Sequence, residues 1–237
     1  MITCQCPANA ALTTIPAQGC VETFGQIQKV AFQRLYSAAG VKNSFTVEEI
    51  PILAEWTPLL AAADGTKIVV SPYIQAPTVE AGAARTFGGG NETLGGVEMV
   101  IGREPTTFQG VIRAVRQTII AAMKELQCES IADNLGIYLF DENGNIGCLA
   151  DDPSNISQLY PIPIRSLFIG DKTFGGLEAP DSNAIQWTFL PNYSDNFWIC
   201  TPVEWNPLTD LVPASSQNSQ SSGSPLPVPG DTEIDDN

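Results

Sequence analysis

Eighteen prolines and twenty glycines are scattered along this chain of 237 residues, so few stretches run far without a turn-former. Proline fixes φ and removes a backbone donor, and glycine eases tight turns, so such dispersal suits many short strands better than a few long helices. The fold class expected is mainly β (α+β), a β-sandwich or barrel. With 43% hydrophobic and only 16% charged residues the chain buries a substantial core, and all-β chains of this length commonly form one domain. No segment approaches the roughly 18 apolar residues of a membrane helix. The first residues carry neither the basic nor the apolar region of a secretory signal, so folding in a cytoplasm without a membrane partner is expected.

Strand signals recur through the compact part. Residues 26–35 mix β-branched and aromatic side chains with no cap ahead of them, which favours a strand over a helix. Residues 66–73 and 94–102 read as strands as well. Residues 136–140 and 146–149 flank Asp141-Glu-Asn-Gly-Asn, whose Asn143-Gly144 pair favours positive φ, and this predicts a hairpin. Further strands are expected near 164–169, 185–190 and 197–203, separated by Gly175-Gly176, Pro180-Asp181 and Pro191-Asn192. A short helical turn is expected around Trp56. One flanking amphipathic helix is predicted over residues 107–128. There Phe108, Val111, Ile112, Val115, Ile119, Ile120, Met123 and Leu126 recur at three- and four-residue steps, with Thr106 or Thr107 as N-cap. Arg113 and Arg116 on its other face read as solvated.

The chain has no histidine, and its 26 acidic side chains against 11 basic ones give a formal net charge of -15. Without histidine no Ser-His or Cys-His pair can be built, nor a His-based catalytic metal site. So large a negative charge repels phosphate backbones and argues against tight nucleic-acid binding. Six cysteines at 4, 6, 20, 128, 148 and 200 read as free thiols in a reducing compartment. Cys4, Cys6 and Cys20 lack the paired C-x2-C spacing of structural zinc sites.

Three segments stand apart. Residues 213–237 hold four acids, no base and little to bury, and read as a Ser/Pro-rich acidic tail that orders only by docking, through Leu226 and Val228, on a neighbouring copy. Residues 1–21 read as an N-terminal arm, leaving a core of residues 22–212. Within that core, residues 72–95 form a long loop, too apolar for a solvated linker, which suits an arm or long hairpin packed on another subunit.

Other motifs carry no chemistry. The run Phe87-Gly-Gly-Gly-Asn-Glu-Thr-Leu-Gly-Gly is followed by a strand, where a phosphate cradle needs a helix. Gly170-Asp-Lys-Thr lacks the upstream glycine of a P-loop, Arg165 standing there. Asp141-Glu142 and Asp151-Asp152 read as solvated turn acids, and Trp56, Trp187, Trp198 and Trp205 as core or interface anchors. No catalytic residue, metal ligand or cofactor is assigned, and an enzyme is not expected.

The order of features resembles the major tail, or tail-tube, proteins of long-tailed bacteriophages. The most similar passages are Gly25-Gln-Ile-Gln-Lys-Val-Ala-Phe-Gln-Arg, Arg85-Thr-Phe-Gly-Gly-Gly-Asn-Glu-Thr and Gly170-Asp-Lys-Thr-Phe-Gly-Gly. The resemblance implies a tail-tube-type β core with one flanking helix, assembling as hexameric rings that stack into a virion tail tube. The implied partners are further copies of the chain and other tail proteins such as tape measure and tail terminator, with genomic DNA passing through without specific binding. The resemblance places subunit contacts on Ile74, Val79, Arg85, Phe87, Leu226 and Val228. Two other readings stay open: a capsid decoration or head-tail connector protein, and a carbohydrate-binding β-sandwich module using Tyr73, Tyr160, Tyr193 and Trp205.

Overall fold

The heptad Leu-Gly-Ile-Tyr-Leu-Phe-Asp at 135–141 is buried at every position, the signature of a strand covered on both faces. The computed structural model, which describes residues 15, 23–38 and 40–212, places this strand at the centre of a curled antiparallel sheet. In chain order the elements are β1 (Ile27–Arg34), β2 (Phe45–Thr46), α1 (Leu53–Ala61), β3 (Ile68–Val70), β4 (Gln75–Glu80), β5 (Ala84–Phe87), β6 (Met99–Arg103) and β7 (Thr107–Arg113). They continue with α2 (Gln117–Ile131), β8 (Leu135–Asp141), β9 (Ile146–Ala150), β10 (Gln158–Tyr160), β11 (Ile162–Ile169), β12 (Ser182–Phe189) and β13 (Phe197–Cys200).

Eleven strands join in the order β2-β10-β9-β8-β11-β12-β7-β4, with β1 along β8, β3 on β1 and β13 on β9. The sheet curls into a half-barrel, and the chain after β3 brings its far edge back toward β1. Two backbone bonds make that return, Ser71 N to Val30 O at 2.8 Å and Ile74 N to Gln28 O at 2.7 Å. Strand alternation then sorts side chains into two cores. Leu135, Ile137 and Leu139 of β8 point into the curl with Phe108, Ile112, Trp187 and Phe189, and α2 closes this core with Ile120 and Met123. Tyr138 and Phe140 point outward into a second core, where α1 delivers Trp56 and Leu60 and the segment ending in Leu211 packs beside them. Trp56 stacks on Phe45 at 4.6 Å, and Trp187 on Phe108 at 3.8 Å.

The mainly β class holds, as do the strand at 26–35, the 136–149 hairpin and the helical turn at Trp56. The helix predicted over 107–128 divides in two. Thr107–Arg113 is strand β7, and the helix starts at Gln117 behind an extended Arg116, with no side-chain cap bond, and ends at Ile131. Residues 107–113 satisfy both periods, and pairing decides: β7 lies between β12 and β4, burying Phe108, Gly110 and Ile112 alternately. A Cβ on Gly110 would stand 2.4 Å from Ile74 Cγ2, so glycine here permits the close approach of β4. Arg113 and Arg116 therefore share no helix face.

Candidate functional site

The predicted loop at 72–95 contains two strands, β4 and β5, joined and followed by loop. Ile74 is buried in the chain's own core, so it is not available as a subunit contact, and β4 pairs with β7. From Ala84 the chain leaves the sheet as a separate two-stranded hairpin of β5 and β6, pairing Ala84 with Arg103 and Phe87 with Met99. The glycine run forms its tip, where Gly88, Gly89, Gly90, Gly95 and Gly96 all take positive φ. Thr93 ties the tip together, accepting from Gly89 N and donating to Val97 O. At the root Gly82 passes Glu104 so closely that a Cβ would sit 1.8 Å from its carbonyl oxygen. Arg103 donates to Asn192 Oδ1 at 2.6 Å, fixing the root to the body of the fold.

This arm is apolar, and no other described residue covers it. Every residue of β5 and β6 is exposed, including Phe87, Met99, Val100 at 70% and Ile101 at 64%, with Leu94 and Val97 also open between the strands. A lone two-stranded hairpin is marginal in water. Burying half of those six side chains would contribute on the order of 5 kcal/mol before ordering costs. Val79, Arg85 and Phe87, three of the predicted contact residues, are exposed on β4 and the arm. Leu226 and Val228 lie outside the described residues.

Beside the arm's root the sheet leaves an open cleft of about 290 Å³ between the start of β1 and the end of β4. Phe24, Ile27, Pro77, Val79, Leu139, Phe189, Tyr193 and Phe197 line it, with Gly25, Gln26 and Ser194, and none of these is charged. Phe24 meets Phe197 edge-on at 5.5 Å, and Tyr193 stacks on Phe189 at 4.4 Å. A bulge opens the cleft: the β4–β7 register shifts between Gln75 and Thr78, where Ala76 takes φ +48°. That left-handed conformation costs a non-glycine residue about 1–2 kcal/mol, and it lies beside the seam where β4 parts from β1.

The polar groups elsewhere hold the fold. Asp141 is fully buried, contrary to its reading as a solvated acid. It accepts from Gly25 N, Asn143 N, Asn145 N and Asn145 Nδ2, at 2.7–2.9 Å, and so knots the hairpin turn to the approach to β1. Asp151 does stay exposed, and bonds from Ser157 hold its carboxyl below the usual range. Lys29, buried against Tyr73, donates to Leu208 O and Leu211 O and pins the last described segment. Burial pushes its ammonium below the ordinary lysine value. Lys172 of the Gly170-Asp-Lys-Thr passage faces Asp181 at 3.8 Å.

Cys128, Cys148 and Cys200 are free thiols, as expected, while Cys4, Cys6 and Cys20 lie outside the described residues. Among the described residues no three Cys, Asp or Glu side chains gather into a metal-holding group, and no helix is long and apolar enough to cross a membrane. The four aromatics of the carbohydrate reading do not share a platform. Tyr193 lines the cleft, Tyr73 donates to Leu208 O, Tyr160 lies under Lys42, and Trp205 donates to Pro51 O. The arm is the feature that sequence reasoning placed only in outline: the glycine run marked its tip, whereas its separation from the sheet left no local signal.

No protein-family model matches the chain, and no curated protein matches it significantly in sequence.

Proposed function

We propose that this chain is a virion structural protein, the tail-tube subunit of a long-tailed bacteriophage, which assembles into stacked hexameric rings that conduct DNA. The observation that carries the reading is the apolar arm of β5 and β6, which no other described residue covers. An exposed hydrophobic surface of this extent marks an interaction site, and contacts between different surfaces of identical chains close into rings or run on as filaments. The curled sheet flanked by α2 agrees with the core that the resemblance implies. The net charge of -15 suits a channel whose wall repels DNA as it passes. On this reading the chain resides in the virion tail, with its own copies, the tape measure and the tail terminator as partners.

Electron microscopy of the purified chain tests this. Rings stacked into tubes are expected, and replacing residues 85–102 by an Asn-Gly turn should leave the circular dichroism spectrum of the core and abolish assembly. The deletion spares β4, which belongs to the sheet, and joins Ala84 to Arg103, which already face each other. A wild-type chain that stays monomeric at high concentration refutes self-assembly. Single rings that never stack favour a decoration or connector protein, and monomers retained on a glycan array favour the carbohydrate module.

A further inference from the structure

The arm needs a bed, and the fold carries one that no described residue covers. We propose that the apolar cleft between β1 and β4 receives the β5–β6 arm of a neighbouring copy, an inference that rests on the self-assembly reading and names its acceptor.

Charge is the first argument. Two copies that each carry -15 repel, so a contact between them forms most readily where neither surface contributes to that charge. The cleft is lined by no ionisable carboxylate or ammonium. The arm, residues 84–103, holds Arg85 and Arg103 against Glu92 and Glu98, for a net of zero. Both surfaces are therefore apolar and neutral on a strongly acidic chain.

Strand edges supply the second argument. Past Ile74 no backbone bond joins β4 to β1, so among the described residues the outer edge of Gln75–Glu80 is unpaired beside the cleft. Among the described residues the arm's strands pair only with each other and keep free outer edges as well. An exposed edge above an apolar bed is the arrangement used in strand addition, where backbone bonds give affinity and alternate side chains fill pockets. The β5–β6 register shifts at Ile101, and Phe87, Met99, Val100 and Ile101 all stay exposed, so both strands of the arm offer apolar side chains to the cleft.

The chain's own arm is not the occupant. Its root is fixed at the cleft's rim, by Gly82 against Glu104 and by Arg103 on Asn192, next to Tyr193. Four residues of β5 and the tip beyond it carry the apolar surface roughly 20 Å outward from that root at about 3.3 Å per residue. Each copy thus offers an arm in one place and a cleft in another, a head-to-tail contact.

The test uses two full-length variants. Val79→Glu puts a charge in the cleft and leaves the arm intact, and Val100→Glu does the reverse. Both residues are half or more exposed, so circular dichroism should match wild type. Each variant alone should lose self-association by a hundredfold or more, since burying an unpaired carboxylate costs far more than two factors of ten in affinity allow. Mixed one to one, the intact arm of the first variant meets the intact cleft of the second, and the mixture should form a dimer and stop. Analytical ultracentrifugation reads all three. Variants that assemble like wild type, or a mixture that stays monomeric, overturn the docking while self-assembly of the wild-type chain stands. A wild-type chain that is itself monomeric overturns both.

Discussion

Replacing Asp141 by Asn should destabilise this protein far more than a one-atom change in a turn would by itself. The carboxylate is fully buried and both oxygens are used: Oδ1 accepts from Asn143 N and Asn145 N, and Oδ2 accepts from Gly25 N and Asn145 Nδ2. An asparagine keeps one acceptor, so two of the four donors meet an amide N–H in either orientation. Hydrogen bonds to a charged group contribute about 1.5–3 kcal/mol each, and losing two with partial relief from Asn145 rotation gives a cost of about 2–4 kcal/mol. Gly25 leaves no room to absorb the change, because a Cβ there would already lie 3.1 Å from Asp141 Oδ2. For a domain of this size each kcal/mol lowers Tm by about 2–4 °C. Urea unfolding followed by tryptophan fluorescence at fixed protein concentration measures the effect, with the exposed neighbour Glu142→Ala as a control expected within about 0.5 kcal/mol. If Asp141→Asn also falls within that range, the buried knot does not exist as described.

Lys29→Met should cost about 1–3 kcal/mol, since Leu211 O loses its donor while Leu208 O keeps the Tyr73 hydroxyl. The folded chain holds the Lys29 proton less tightly than the unfolded chain. Wild-type stability on this account therefore rises with pH between the lowered value and the ordinary 10.5, and denaturation across that window should show the slope in wild type and not in the variant. Cys128 is exposed, whereas burial pushes the Cys148 thiol far up. Alkylation mapped by mass spectrometry should therefore label Cys128 in the native protein and Cys148 only after unfolding. Gly82→Ala should displace the arm's root, because its Cβ would overlap Glu104 O, so ultracentrifugation should show lost association while the core Tm moves little.

Several elements were legible because local chemistry and global fold agree in them. The Asn143-Gly144 turn sits in the hairpin of β8 and β9 with Gly144 at φ +83°, where the dipeptide alone places it. β1 was legible from its β-branched and aromatic residues, and Trp56 from its apolar setting. Residues 107–113 were not, because Phe108, Val111 and Ile112 fit a helix as well as a strand, and only pairing with β12 and β4 on both sides selects the strand. Of the predicted contact residues, Val79, Arg85 and Phe87 are exposed, and Ile74, three residues before Pro77, is turned into the core. Nothing in local composition separates Ile74 from Val79, because the difference arises from a bulge in one strand.

The sequence by itself determined that this chain is mainly β, strongly acidic and unable to build histidine chemistry, since turn residues, charge and residue types act without reference to distant partners. Tertiary structure alone decided that Asp141 is a buried knot, that Ile74 belongs to the core, and that a neutral apolar arm stands beside a neutral apolar cleft. These facts depend on which strands meet and on where the sheet fails to close, and both are set by contacts between residues far apart in the chain.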